Sequence, residues 1–172
     1  MVDWNKLSLK GFDCDLAENL YTVVANNRSF LSRWVHITDK VNSVQDARTL
    51  IQQRITSKVP CYFITYGDDG IIGVVRLRVF VVEGRTHGQF VYWVTEQHSR
   101  KGIVTWAVQT MMREVVENKT VDVLVIRSEP ENVGSQRIAE KCGFELVETV
   151  KNAVVVAGAS RDLVIYNYVV RK

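Results

Sequence analysis

Three strand-like runs in the middle of the chain constrain the fold more than any other feature. Residues 61–66 (CYFITY), 71–82 (IIGVVRLRVFVV) and 88–95 (GQFVYWVT) are rich in β-branched and aromatic residues, which favour strands. Two short segments separate them, 67–70 (GDDG) and 83–85 (EGR). Glycine-containing turns of this length join antiparallel strands. The pattern therefore predicts an antiparallel meander of three strands.

Helix and strand patterns alternate outside this meander. Helical spacing of apolar residues predicts helices over 15–26, from Ser43 to Ile55, over 102–118 and over 134–142. Strand patterns cover 121–127, 144–149, 151–156 and 163–170, the last two joined by a turn at 157–160. We therefore expect a mixed α/β (α+β) fold. It has a mostly antiparallel central sheet of about six to seven strands, flanked by about four helices. The length of 172 residues fits a single domain, 1–172.

Composition excludes several classes of protein. A hydrophobic share of 47% is too high for a disordered chain, and no apolar run approaches the roughly 20 residues of a membrane span. The first residues lack the apolar core of a secretory signal. The scattered cysteines, Cys14, Cys61 and Cys142, predict buried thiols in a reducing compartment and no metal site. A net charge of +3 does not by itself favour nucleic acid. We expect a cytoplasmic protein that binds neither membrane nor nucleic acid.

Residues 93–108 (WVTEQHSRKGIVTWAV) are the most informative stretch for function. A strand passes through a short polar loop into an amphipathic helix at Gly102. The first amides of a helix have no internal acceptor, and the helix dipole adds positive potential there. Arg100 and Lys101 add two charges, and Gly102 has no Cβ to obstruct a ligand. The stretch indicates a pyrophosphate site. From these residues alone, a glycine that starts a helix beside two solvated cations is an equal alternative.

The second informative stretch is 126–144 (IRSEPENVGSQRIAEKCGF), in which a loop presents Asn132 and Ser135 opens a helix. Both residues are good helix caps, and capping is the simpler interpretation. Other motifs are missing from the sequence: GxxxxGK followed by Ser or Thr, GxGxxG, and the GxSxG nucleophile elbow. Neither a nucleotide-triphosphate loop, nor a dinucleotide fold, nor a serine hydrolase has support.

Together these stretches resemble the GNAT acyltransferases, and within them the ribosomal-protein N-acetyltransferase branch, which modifies protein N-termini. The resemblance extends over nearly the whole chain. It includes RSFLSRW, IIGVVRL, YWVTEQHSRKGIVTWAV, ENVGSQRIAEKCGFE and RDLVIYNYV.

The resemblance implies acetyl-CoA as co-substrate, no metal, and a set of site residues. The backbone near Val94 would pair with the pantetheine arm, and Asn132 would contact the cofactor. Ser135 would lie near the sulfur and act with Asn132 in catalysis. Substrate recognition would come from the segment containing Arg28 and Phe30, above all from Arg33 and Trp34. The pyrophosphate would be held by Arg100, Lys101, Gly102, Ile103, Val104 and Thr105.

The chain departs from the family pattern at several positions. Of the superfamily pattern Q/R-x-x-G-x-G/A, only Gly102 is kept. Arg100 stands where glycine is common, and Val104 stands where a small residue is usual. A tyrosine that serves many members as general acid is replaced by Ala139. That role would pass to Ser135 or to water.

The implied reaction is direct attack of an amine on the acetyl thioester, with the N-terminal α-amine of a (ribosomal) protein as acceptor. An α-amine has a pKa near 8, against about 10.4 for lysine, so its deprotonation needs little help at neutral pH. An amide near Val94 would stabilise the oxyanion, and Ser135 would protonate the thiolate. Candidates for the base by residue type alone are Glu96, His98, Glu148 and Asp162.

Two other functions are compatible with the sequence: a small-molecule amine acetyltransferase of the same fold, and a non-catalytic acyl-CoA-binding module. The sequence does not identify the acceptor, the base or the oligomeric state, of which a homodimer is one alternative.

Overall fold

The computed structural model describes residues 2–156 and 158–171. Within them the chain forms seven β-strands and six α-helices, with short 3₁₀ turns between. In chain order these are β1 (Leu7–Gly11), α1 (Ala17–Asn26), α2 (Arg28–Leu31), α3 (Ile37–Lys40), α4 (Val44–Thr56), β2 (Cys61–Tyr66), β3 (Ile71–Val82), β4 (Arg85–Val94), α5 (Ile103–Glu117), β5 (Val123–Ser128), α6 (Val133–Lys141), β6 (Glu145–Val156) and β7 (Ala159–Val169).

The strands form one seven-stranded sheet in the order β1-β2-β3-β4-β5-β7-β6. The β4–β5 pair is parallel, whereas β1–β2, β2–β3, β5–β7 and β6–β7 are antiparallel. This confirms the mixed, mostly antiparallel sheet. The four predicted helices correspond to α1, α4, α5 and α6. The other two helices, α2 and α3, were not predicted, because four residues are too few to show helical spacing.

Two strand predictions need correction. Strand β1 was not predicted, because its five residues bury only Leu7 and carry little periodicity. The two strands expected over 144–149 and 151–156 are a single twelve-residue strand, β6. Its pairing with β7 shifts between Val150 and Val154, and Asn152 has a φ of 51°. Such a bulge breaks the alternation that sequence periodicity detects. Ala157 of the predicted turn lies outside the described residues.

Contacts divide the chain into two compact units. The first contains the residues up to Arg76 together with Tyr92–Ala107. Its core lies where α1 and α4 pack with β2 and the first half of β3. Ser43 caps α4 by accepting the amide of Asp46, as the predicted start of that helix requires. The largest buried side chains of this core include Leu20, Ile51, Phe63 and Ile71.

The second unit contains Leu77–Val91 and the residues from Val108 onward. Strand β5 is its centre, and four consecutive residues from Val123 to Ile126 are buried. Burial on both faces is typical of a central strand. Phe144, after α6, contacts the rings of Phe90 and Tyr168. Among the described residues, no helix is long and apolar enough to cross a membrane.

Candidate functional site

The backbone of Val94, at the end of β4, is turned away from β3. The amide of the next residue, Thr95, donates to the carbonyl of Ile72 in β3 over 2.8 Å. Because backbone groups of successive strand residues point to opposite edges, the N–H and C=O of Val94 point to the other edge. The register between β4 and β5 pairs only His87–Gln89 with Val123–Val125. The Val94 peptide groups can therefore pair with an extended ligand.

The loop after β4 leads through Gly102, which is exposed, into the start of α5, whose first two residues, Ile103 and Val104, have buried side chains. The carbonyl of Gly102 accepts the amide of Trp106 over 3.0 Å, so Gly102 occupies the N-cap position. Glycine has no side chain with which to cap a helix. Helix geometry leaves the Ile103 and Val104 amides without an intrahelical acceptor. The side chains of Arg100 and Lys101 are exposed beside them. This arrangement can hold a diphosphate.

The backbone at Arg100 has the conformation that favours the glycine of the family pattern. Arg100 has a φ of 58° and Gly102 a φ of 80°, both in the left-handed region that favours glycine. Arg100 adopts this conformation at an exposed position, where its side chain remains free to reach an anion. A Cβ added at Gly102 would lie 3.6 Å from Cη2 of Trp4. Trp4 is half-exposed and was not anticipated, because no pattern in the sequence links it to this loop.

His98 is buried in the turn between Val94 and the phosphate loop. Its Nδ1 lies 2.8 Å from Oγ1 of Thr95, and its Nε2 lies 3.3 Å from Oδ2 of Asp69. The ring packs at a tilt against that of Tyr66. Burial lowers the pKa of His98, and the nearby Lys101 lowers it further, whereas Asp69 acts in the opposite direction. With both ring nitrogens engaged, His98 is a structural support for the turn and a poor general base.

Asn132 and Ser135 begin α6 with different roles. The Oδ1 of Asn132 accepts the amide of Ser135 over 3.1 Å. The capping interpretation is thus confirmed for Asn132, whose side-chain nitrogen remains to donate elsewhere. Ser135 contributes its backbone amide to this cap, whereas the capping side chain is that of Asn132. Its side chain is buried, with 7% of the residue exposed.

The predicted substrate segment divides into structural and exposed residues. The Arg28 guanidinium donates to the carbonyls of Thr38 and Val41, so Arg28 ties α2 to α3 and to the residue that follows α3. Arg33 and Trp34 are exposed after α2, Trp34 with 44% of its surface accessible. Phe30 packs, partly buried, against the core of the first unit, so Arg33 and Trp34 are the exposed residues of the predicted set.

The other candidate bases differ in their surroundings. Asp162 accepts hydrogen bonds from Nζ of Lys151, at 2.7 Å, and from the amide of Asn152. These bonds hold the pKa of Asp162 below its ordinary value, which makes it a weak base. Glu96 and Glu148 are exposed. Within residues 2–156 and 158–171, no group of three or more His, Cys, Asp or Glu residues could hold a metal ion.

Comparison with known proteins identifies the family. A family model described as the acetyltransferase (GNAT) domain matches residues 6–145. The chain belongs to the GNAT acetyltransferase family. It is 25% identical over 158 residues to the ribosomal-protein-serine acetyltransferase of Escherichia coli (strain K12), covering 88% of both chains. It is 28% identical over 155 residues to the probable N-acetyltransferase YjcK of Bacillus subtilis (strain 168), covering 86% of this chain and 84% of that protein.

Solved structures of acetyltransferases share the fold. The microcin C7 self-immunity acetyltransferase MccE, in complex with acetyl-CoA and AMP, has a TM-score of 0.86 at 26% identity, covering 96% of this chain and 93% of that one. RimL, the ribosomal L7/L12 α-N-protein acetyltransferase, in complex with coenzyme A, also has a TM-score of 0.86, at 21% identity, covering 96% and 94%. The resemblance to the GNAT family inferred from the sequence is confirmed. The relatives include a ribosomal-protein-serine acetyltransferase, in keeping with the predicted similarity to that branch.

Proposed function

We propose that this GNAT acetyltransferase uses acetyl-CoA to acetylate the N-terminal α-amine of a protein, with a ribosomal protein as the first candidate. The observation that carries the proposal is the glycine-capped start of α5, which follows the outward-turned backbone of Val94. A relative named as a ribosomal-protein-serine acetyltransferase, aligned over 88% of the chain, supports this acceptor. Under this proposal residues 1–172 act as one acetyltransferase domain in the cytoplasm.

The donor site follows from the charges of the loop and the backbone amides at the start of α5. The amides of Ile103, Val104 and Thr105, at the positive end of α5, would bind the diphosphate. Arg100 and Lys101 would add charge-assisted contacts from exposed positions. The Val94 peptide groups would pair with the amides of the pantetheine arm, as one strand pairs with another.

The reaction requires three contributions from the chain: stabilisation of the oxyanion, a proton for the thiolate, and binding of the donor. A neutral α-amine forms the new C–N bond at the thioester carbonyl, and the C–S bond then breaks. A backbone amide near Val94 would stabilise the oxyanion. Ser135 would give its proton to the departing thiolate or relay one to it, since Ala139 leaves no phenol at the usual position, and the proton that the attacking nitrogen loses would restore the hydroxyl directly or through water. The remaining amide hydrogens of Asn132 would hold the donor, while its oxygen caps α6.

Acceptor recognition is assigned to Arg33 and Trp34, both exposed after α2. A flat aromatic ring and a guanidinium suit an extended peptide better than a small polyamine, which would need carboxylates. No described cluster of acidic residues accompanies this pair in the segment from Arg28 to Lys40, where Asp39 is the one carboxylate.

A second candidate function is acetylation of a small-molecule amine. The observation in its favour is the similarity to MccE, whose structure holds acetyl-CoA together with AMP.

Thiol release from acetyl-CoA should be measured with peptides that begin with Ser, Ala or Met, and with amino acids, polyamines and aminoacyl nucleotides. The proposal predicts the highest kcat/KM for a peptide, and the same peptide with a blocked N-terminus is the control. Preference for a small amine would support the second function. Coenzyme A binding without turnover on any amine would indicate a non-catalytic module.

A further inference from the structure

Ser128, the last residue of β5, buries a hydroxyl group that has no partner among the described residues. The residue is 6% exposed, and its Oγ makes no hydrogen bond with the described part of the chain. Buried hydroxyl groups in folded proteins nearly always have a partner, and an exception calls for an explanation. One explanation is that the partner belongs to a ligand.

The surroundings of Ser128 favour that explanation. On one edge of β5, Ser128 pairs with Val164 of β7. On the other edge, pairing with β4 ended three residues earlier, at Val125. The strand then continues directly into the loop that presents Asn132 and into the first turn of α6, where Ser135 is buried. A single strand–loop–helix segment thus bears all three polar groups.

We propose that Ser128 is a further donor-binding residue, whose hydroxyl forms a hydrogen bond with the acylated pantetheine arm of acetyl-CoA. This inference rests on the proposed function. A hydroxyl can donate to a carbonyl and accept from an N–H group, and the pantetheine arm offers amides and a thioester carbonyl. Leaving the hydroxyl unpaired lowers the stability of the free protein, and binding would supply the missing partner.

Asn167 provides a matched control. Its Oδ1 is the other buried side-chain atom without a partner in the described residues. Asn167 lies opposite Val125, whereas Ser128 lies opposite Val164. Because side chains alternate along a strand, the two groups lie on opposite faces of the sheet. The side chains of Ser128 and Asn167 thus each bury a polar atom that is unpaired within the described chain, but on different faces of the sheet.

The test measures the melting temperature of the free protein and the Kd for acetyl-CoA by calorimetry, in Ser128→Ala and Asn167→Leu. We expect Ser128→Ala to raise the melting temperature by about 2–4 °C, because an unpaired buried hydroxyl is removed. We expect the same variant to weaken acetyl-CoA binding by about 3- to 10-fold, the effect of one hydrogen bond. Asn167→Leu should leave the Kd within about 2-fold.

If Ser128→Ala bound acetyl-CoA with the wild-type Kd, the inference would be overturned, whatever the melting temperature. The partner of the hydroxyl would then be a buried water molecule. If Ser128→Ala does not fold, Ser128→Cys repeats the test with a similar volume and a weak donor. Failure of the wild-type protein to bind acetyl-CoA at all would instead refute the proposed function, so the two failures are distinguishable.

Discussion

His98 joins two turns of the first unit through its contact with Asp69. The His98 Nε2 lies 3.3 Å from Oδ2 of Asp69, in the turn between β2 and β3. On its other side, Nδ1 lies 2.8 Å from Oγ1 of Thr95, the residue that follows β4. The imidazole therefore fixes the turn between the Val94 backbone and the phosphate loop. Its protonation state should affect the stability of that turn.

The first prediction concerns the dependence of stability on pH. Burial lowers the pKa of His98 in the folded protein below its ordinary value of 6.5. As the pH falls, the unfolded chain therefore takes up this proton first, and folding becomes less favourable. The stabilising contribution is present above about pH 6.5 and is lost as the pH falls through the folded pKa. In urea unfolding between pH 8 and 5, the wild type should lose free energy of unfolding more steeply than His98→Gln. Parallel curves would contradict this.

The second prediction separates charge from backbone strain at Gly102. With a φ of 80°, any side chain here is strained, although the nearest atom, Cη2 of Trp4, leaves room for a Cβ. Gly102→Ala should destabilise the protein by about 1 kcal/mol. Gly102→Glu should have a similar melting temperature but should weaken coenzyme A binding at least about 100-fold more than Gly102→Ala, because it places a carboxylate against the diphosphate. Equal affinity of the two variants would remove the diphosphate from this site.

The extent to which the sequence predicts this structure depends on the range of the interactions involved. The meander and α5 were predictable, since strand alternation and helical spacing are local patterns. The bulge at Asn152 was not, because a register shift depends on contacts with another strand. In the site, the cap by Asn132 follows from local sequence. The burial of His98 does not, because it depends on Asp69, 29 positions earlier in the numbering, and on Tyr66.

The third prediction distinguishes the two roles of Asn132. Asn132→Asp keeps an oxygen for the Ser135 amide and should therefore keep the melting temperature. It removes the donor nitrogen and adds a negative charge, so the Kd for coenzyme A should rise by about 10-fold. Asn132→Ala loses the cap as well and should cost about 1 kcal/mol of stability in addition. If Asn132→Asp bound coenzyme A as the wild type does, Asn132 would be a cap only.

The fourth prediction tests the structural role of Arg28. Its guanidinium donates to the carbonyls of Thr38 and Val41. Arg28→Ala should lower the free energy of unfolding by about 2–4 kcal/mol, because two hydrogen bonds from a charged donor are lost. The Kd for acetyl-CoA should not change. Arg33→Ala is the matched control, since Arg33 is exposed five residues later and its removal should leave stability unchanged. Equal stability of the two variants would contradict the assignment.

The fifth prediction concerns Ser135, whose backbone and hydroxyl can be separated by mutation. The amide that Asn132 accepts belongs to the backbone, so Ser135→Ala retains the α6 cap and should keep the melting temperature close to that of the wild type. Loss of the hydroxyl should lower the single-turnover rate by about 100-fold or more, as expected for a residue that transfers a proton to the thiolate. The Kd for acetyl-CoA should change much less. A parallel loss of rate and affinity would make Ser135 a binding residue, and an unchanged rate would leave the proton to water.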